Sequence, residues 1–215
     1  MSWRDLGFAV RPVDATQAVD TKHPVDATRH IVTLGDVVLV IDETLPPGIS
    51  HMVLAGCESR PEHIAGLRVT HDDVFALAND STVLDSPAPS VFRAIGVDHV
   101  VVLADDVRAT CLEIERDSGA ALKRVKESER GVQGFHRLGS VILEVVERRL
   151  VDPDQRTGRA TYWGLVVVVE DLEAAVAHLG PDVIGAAKPA VQPGRRIATV
   201  RSGAGLGVPL ALMSR

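Results

Sequence analysis

The sequence predicts an α+β protein: paired βαβββ modules forming a curved mixed sheet around a cavity, with a degraded repeat on the N-terminal side. Three observations lead there. A β-branched run passes directly into an amphipathic helix twice, in GVDHVVVLADDVRATCLEIERDSG (96–119) and WGLVVVVEDLEAAVAHLG (163–180). A Leu-Gly turn followed by an apolar run ending in Glu also recurs, in TLGDVVLVIDE (33–43) and RLGSVILEVVE (137–147). The 215 residues are 46% hydrophobic and 24% charged, which suits one large or two small globular domains. Aromatics are only 3%, so the core must be built from aliphatic side chains.

In the first module the spacing predicts strand 97–103, helix 105–118, and strands 121–126, 132–137 and 140–147. Asp105 or Asp106 caps the helix, whose apolar face draws on Val107, Cys111, Leu112 and Ile114. The second module repeats the order: strand 163–169, helix 171–179 capped by Asp171, and strands 182–187, 196–201 and 207–213. Leu172, Val176 and Leu179 carry its helical spacing, and Gly180-Pro181 ends that helix. The polar stretch RRLVDPDQRTGRAT (148–161) is the connector, its Arg148-Arg149 pair expected as solvated charges. GAGLG (203–207) precedes a strand rather than a helix, so it is a turn and not a phosphate cradle.

The domain division expected is 1–94 as the degraded repeat region and 95–215 as the paired domain. SWRDLGFAV (2–10) resembles the end of a repeat's helix and its next strand, and 29–43 supplies two closing strands. GISHMVLAG (48–56) echoes GVDHVVVLA without a following helix, whereas IAGLRVTHDDVFALAND (64–80) is a short strand–helix echo. STVLDSPAPSVF (81–92) is a linker, and the doubled PVDAT (12–16, 24–28) is a loop duplication with no assigned chemistry.

A net charge of −6 argues against a nucleic-acid partner, which needs a basic footprint. No apolar run of about 18 residues predicts a membrane span, and the expected location is cytoplasmic. Cys57 and Cys111 could form at most one bridge, and the helical spacing of Cys111 predicts a buried free thiol.

The order and spacing of DHVVVLADDV (98–107), LGSVILEVVE (138–147), GLVVVVEDL (164–172) and VPLALM (208–213) resemble the vicinal oxygen chelate superfamily of glyoxalases, bleomycin-resistance proteins and extradiol dioxygenases. The resemblance covers about 120 residues well. It implies metal ligands on the first and last strands of each module, a histidine standing seven residues before the capping Asp and a glutamate on the last strand. His99 and Glu144 match those places, with Glu144 also as the catalytic carboxylate. The second module has Gly164 and Ala211 there, and neither side chain can bind metal. The degraded repeat has Gly66 and Val40. His51 is the third-ligand candidate, because its strand echoes that of His99, and His136 is another.

Three readings follow. A divalent ion (Fe, Mn, Zn or Ni) on His99, Glu144 and His51 would make a lyase or dioxygenase that polarises a small substrate. Alternatively, His99 and Glu144 are a partnered polar pair in a non-catalytic protein that sequesters a small apolar molecule. A structural oligomerisation protein, such as a homodimer, is the third. Strand alternation predicts Val101, Ile142 and Val146 beside the pair, with Trp163 and Leu165 from the second module.

Overall fold

The computed structural model describes residues 1–12, 29–54, 61–71, 90–129 and 131–215. The helix expected over 72–80, nearly all of the PVDAT duplication, Cys57 and most of the 81–92 linker lie outside the described residues. In chain order the strands are β1 (Val10–Pro12), β2 (Arg29–Leu34), β3 (Val37–Asp42), β4 (Met52–Val53), β5 (His63–Ile64), β6 (Leu67–Thr70) and β7 (Ala94–Ala104). Helix α1 (Val107–Ser118) follows, then β8 (Leu122–Ser128), β9 (Gly131–Leu138) and β10 (Val141–Glu147). The second module runs β11 (Thr161–Val169), α2 (Leu172–Leu179), β12 (Lys188–Pro189), β13 (Arg196–Thr199) and β14 (Leu210–Ser214). Two βαβββ units are therefore present, as the sequence repeats predict.

Hydrogen bonding places β7 to β14 in one sheet of order β12-β13-β14-β11-β7-β10-β9-β8. The sheet is mixed, with β10 parallel to β7 and antiparallel to β9. By compactness the chain divides into residues 1–47, 72–97 and 166–215 on one side, and 48–71 and 98–165 on the other. That division cuts across β7 and β11, and it does not follow the boundary expected at 94/95.

In the unit of residues 48–71 and 98–165, Asp106 caps α1 by accepting from the Ala109 amide at 3.0 Å. Gly119 closes the helix at φ 71°, the left-handed position that glycine adopts without strain. Val107, Cys111 and Ile114 form its buried stripe at i, i+4 and i+7. Leu112 does not join them. It is 65% exposed, because a single step from Cys111 turns it away from that stripe. The stripe packs on Val102, Leu143 and Val145 of the sheet, with Ile64, Leu67 and Val69 completing the cluster. Gly134 on β9 lies under α1, where a Cβ would run into the Cys111 sulfur. Burial raises that thiol to about 11, so Cys111 is an inert core group.

The connector departs from expectation. Arg148 is 2% exposed, not solvated, and donates to the Asp105 carboxylate, Thr161 Oγ1 and the Leu103 and Arg159 carbonyls. Asp105 also accepts from the Thr157 and Gly158 amides, so one ion pair ties 148–161 to the end of β7. The cause is geometric: five donors in a planar fork can satisfy carbonyls that a turn would otherwise orphan.

In the other unit, β2 and β3 form a hairpin through Gly35-Asp36. Gly35 has φ 62° and Gly139 in the β9–β10 turn has φ 59°, so the repeated Leu-Gly motif makes the same glycine-first turn twice. Trp3, Phe8 and Phe92 stack edge-to-face at centroid distances of 5.2 and 5.1 Å. Helix α2 is capped by Asp171, which accepts from the Ala174 amide at 2.9 Å. The strand expected at 182–187 is absent; only Ile184 bridges to Val200, and a two-residue strand forms later at Lys188–Pro189. Two prolines at 189 and 193 limit strand length there by removing ladder donors. No described helix is long and apolar enough to cross a membrane.

Candidate functional site

The site is built on the sheet face of residues 98–165 that α1 does not cover. Register fixes who shares that face. β10 lies beside β7 with Ile142 opposite His99, Glu144 opposite Val101 and Val146 opposite Leu103. Across β9 the partners of Glu144 and Val146 are Phe135 and Gln133. Period-2 alternation then sends Leu143, Val145 and His136 to the helix side.

His99 and Glu144 meet. The His99 Nε2 stands 3.2 Å from Glu144 Oε2, with the two side chains 15% and 13% exposed. On the other ring nitrogen, Nδ1 is 2.8 Å from the Asp98 carboxylate. A carboxylate only accepts, so Nδ1 carries hydrogen and Nε2 faces Glu144 with either a lone pair or a second hydrogen. Gln133 Nε2 donates to Glu144 Oε1 at 2.7 Å. The result is a continuous chain of polar contacts, Asp98–His99–Glu144–Gln133.

Burial pushes the Glu144 carboxyl above its ordinary value; His99 and Lys126 oppose that shift through their charges, and Gln133 opposes it by hydrogen bonding. Beside the pair on the same face, Val101, Leu103 and Val146 form a small buried apolar cluster of their own. A carboxyl held on an apolar floor and offered a histidine partner is suited to giving and taking a proton.

The other expected residues are distributed differently. Val101 is 8% exposed and Ile142 is half-buried, both on the face of the pair. Trp163 lies on β11 and is 36% exposed, and Leu165 is buried on the same strand. His136 is a core group: its Nδ1 donates to the Ala120 carbonyl at 2.8 Å on the helix side, so it cannot ligate with Glu144. His51 bonds Ser50 Oγ at 2.8 Å. Among the described residues no three His, Cys, Asp or Glu side chains are placed to hold one metal ion, so His51 does not join His99 and Glu144. The pair supplies two donors where a divalent ion takes three or four, and Nδ1 is already committed to Asp98. The described residues do not fit the expected metal centre.

Asp98 and Gln133 were not found from the sequence. Asp98 had a signal, since it precedes His99 within reach of its ring. Gln133 had none, because its place beside Glu144 depends on the β9–β10 register.

No family model matches the chain, and none of the curated proteins matches it. Solved structures do resemble it in fold. Methylmalonyl-CoA epimerase from Mycobacterium tuberculosis is 17% identical, with a TM-score of 0.48 over 61% of this chain and 94% of that one. A Streptomyces coelicolor methylmalonyl-CoA epimerase variant in complex with 2-nitronate-propionyl-CoA is 16% identical, with a TM-score of 0.45 over 58% and 95%. A hypothetical protein from Bacillus halodurans C-125 is 12% identical, with a TM-score of 0.46 over 55% and 93%.

Proposed function

We propose that the sheet face of residues 98–165 away from α1 binds a small organic molecule, and that His99 and Glu144 anchor it and exchange a proton with it. The observation that carries this is the 3.2 Å approach of Nε2 to Oε2 between two side chains that each keep some exposure. An apolar floor with a few convergent polar groups is the usual make-up of a small-molecule site. Asp98 orients the imidazole and Gln133 orients the carboxyl, so both enter as positioning residues. Glu144 would take a proton from an acidic C–H or O–H of the ligand, with His99 accepting or returning it through Nε2. No metal step is included, because the described residues offer only the two donors of His99 and Glu144.

The test is a fragment screen by amide chemical-shift mapping on the whole chain. Binders should perturb His99, Val101, Ile142 and Glu144, and Val101→Trp should abolish them in protein whose amide spectrum shows that it is still folded. Hits that map elsewhere, or that survive Val101→Trp unchanged, would overturn the reading. Glu144→Gln keeps shape and hydrogen bonding, so a pure binder retains its ligand while a proton-transfer catalyst loses turnover.

A further inference from the structure

We propose that the ligand of this face is a small organic anion, its charged group held by Arg124, Lys126 and Arg137 at the β8–β9 side. This rests on the small-molecule reading above and names its ligand class. The register supplies the argument. Arg124 pairs with Phe135, Lys126 with Gln133, and Arg137 with Ile142. Each partner belongs to the face of Glu144, and so do the three cations. The acid next along β8 points the other way: Glu127 pairs with Arg108 of α1. At the paired positions of β8, β9 and β10 that share the Glu144 face, three residues are basic and Glu144 alone is acidic. In a chain of net charge −6, that local excess runs against the whole.

The cations are also accessible in graded fashion. Lys126 is half-buried, Arg124 is exposed, and exposed Arg137 spends one nitrogen on the Ser140 carbonyl. Among the described residues no carboxylate is ion-paired to Arg124 or Lys126. Lys126 acts on Glu144 through its charge, favouring the carboxylate form. An arriving anion would complete the charge balance that the sheet leaves open.

Dimensions narrow the ligand. Adjacent strands are about 4.8 Å apart, so β8 and β10 backbones are separated by about 10 Å. Half-buried Phe135 lies between Arg124 and Glu144 in the cross-strand row. The fitting ligand has a carboxylate or phosphate at one end, a flat or apolar body over Phe135, and a polar group at the other end over His99 and Glu144. An aromatic or short acyl acid meets those terms.

The experiment measures calorimetric or ligand-observed NMR affinities for phenylacetate, 3-phenylpropionate and phenyl phosphate against phenylacetamide and 3-phenylpropionamide. The expected result is at least tenfold tighter binding of the acids than of their amides, weakening as ionic strength rises. Arg124→Met with Lys126→Met should remove that preference and leave amide binding unchanged. A preference for phenyl phosphate over the carboxylates, lost in the same variant, would identify phosphate as the anion. Equal binding of acids and amides, or no binding of either, overturns the anion inference. The small-molecule reading fails separately, only if the fragment mapping finds no binders at His99 and Glu144. A dimer in sedimentation that Arg124→Glu with Lys126→Glu dissolves would show that a second copy covers the face instead, and would also overturn the inference.

Discussion

The two βαβββ units share one local grammar and differ in chemistry. Each starts with a long β-branched strand, and each helix is capped by an aspartate whose carboxylate accepts from the amide three residues on. Each helix ends at a glycine with positive φ. The strands that follow α1 run 7, 8 and 7 residues, while those after α2 run 2, 4 and 5. Where the first unit has His99 and Glu144, the second has Gly164 and Ala211, both buried. Capping and core stripes thus maintain the fold whether or not a polar pair occupies the face away from the helix. The polar chain of Asp98, His99, Glu144 and Gln133 is an addition to the first unit, sustained by the long paired strands β9 and β10 that align its members.

That comparison can be broken most forcefully in the cores. Leu143 and Leu212 are both 0% exposed, on the last strand of each unit. Truncating either to Ala should cost about 2–5 kcal/mol in urea denaturation. A cost for Leu212→Ala far below that of Leu143→Ala would show that the short-stranded unit is not held as the first one is. A smaller effect is specific to the first unit. Gly134→Ala should destabilise by about 1–3 kcal/mol through collision with Cys111, and Cys111→Ala should recover part of it. Additive losses in the double variant would place the clash elsewhere.

The caps sharpen the likeness. Asp106→Ala and Asp171→Ala should each cost about 1 kcal/mol, measured by thermal unfolding. Unequal costs would mean that one helix relies on its packing alone.

The smallest effect separates the two faces that lie away from the helices. The Glu144 carboxyl is raised from its ordinary value by burial, so the folded state binds its proton more tightly than the unfolded chain does. Its contribution to stability is present below the usual carboxyl pKa of 4.5 and is lost as pH rises through the raised value. Glu144→Gln should flatten that segment of the stability–pH curve, whereas Ala211→Gln should leave it unchanged. A curve unaffected by Glu144→Gln would mean that His99 compensates its charge fully. Chelator should leave the unfolding temperature unaltered, since a retained ion at a hundred times its Kd would add about 2.7 kcal/mol.

Much was determined by the sequence itself. The Asp106 and Asp171 caps, the glycine-first Leu-Gly turns and the apolar runs are local rules acting within a few residues, and they located both helices and most strands of the two modules. Alternation and the resemblance brought out His99 and Glu144, because each lies on a strand whose inside and outside can be counted. Only the tertiary structure decided the rest. Whether Arg148 is solvated depends on carbonyls that arrive from Leu103 and Arg159. Gln133 reaches Glu144, and Lys126 shares its face, through pairings between strands whose offset no single strand encodes. His136 differs from Phe135 by one residue and so belongs to the opposite face, bonded to Ala120 in the core. The physical reason is the same throughout: local propensity sets an element's existence, but register and long-range hydrogen bonding set its neighbours, and the site is made of neighbours.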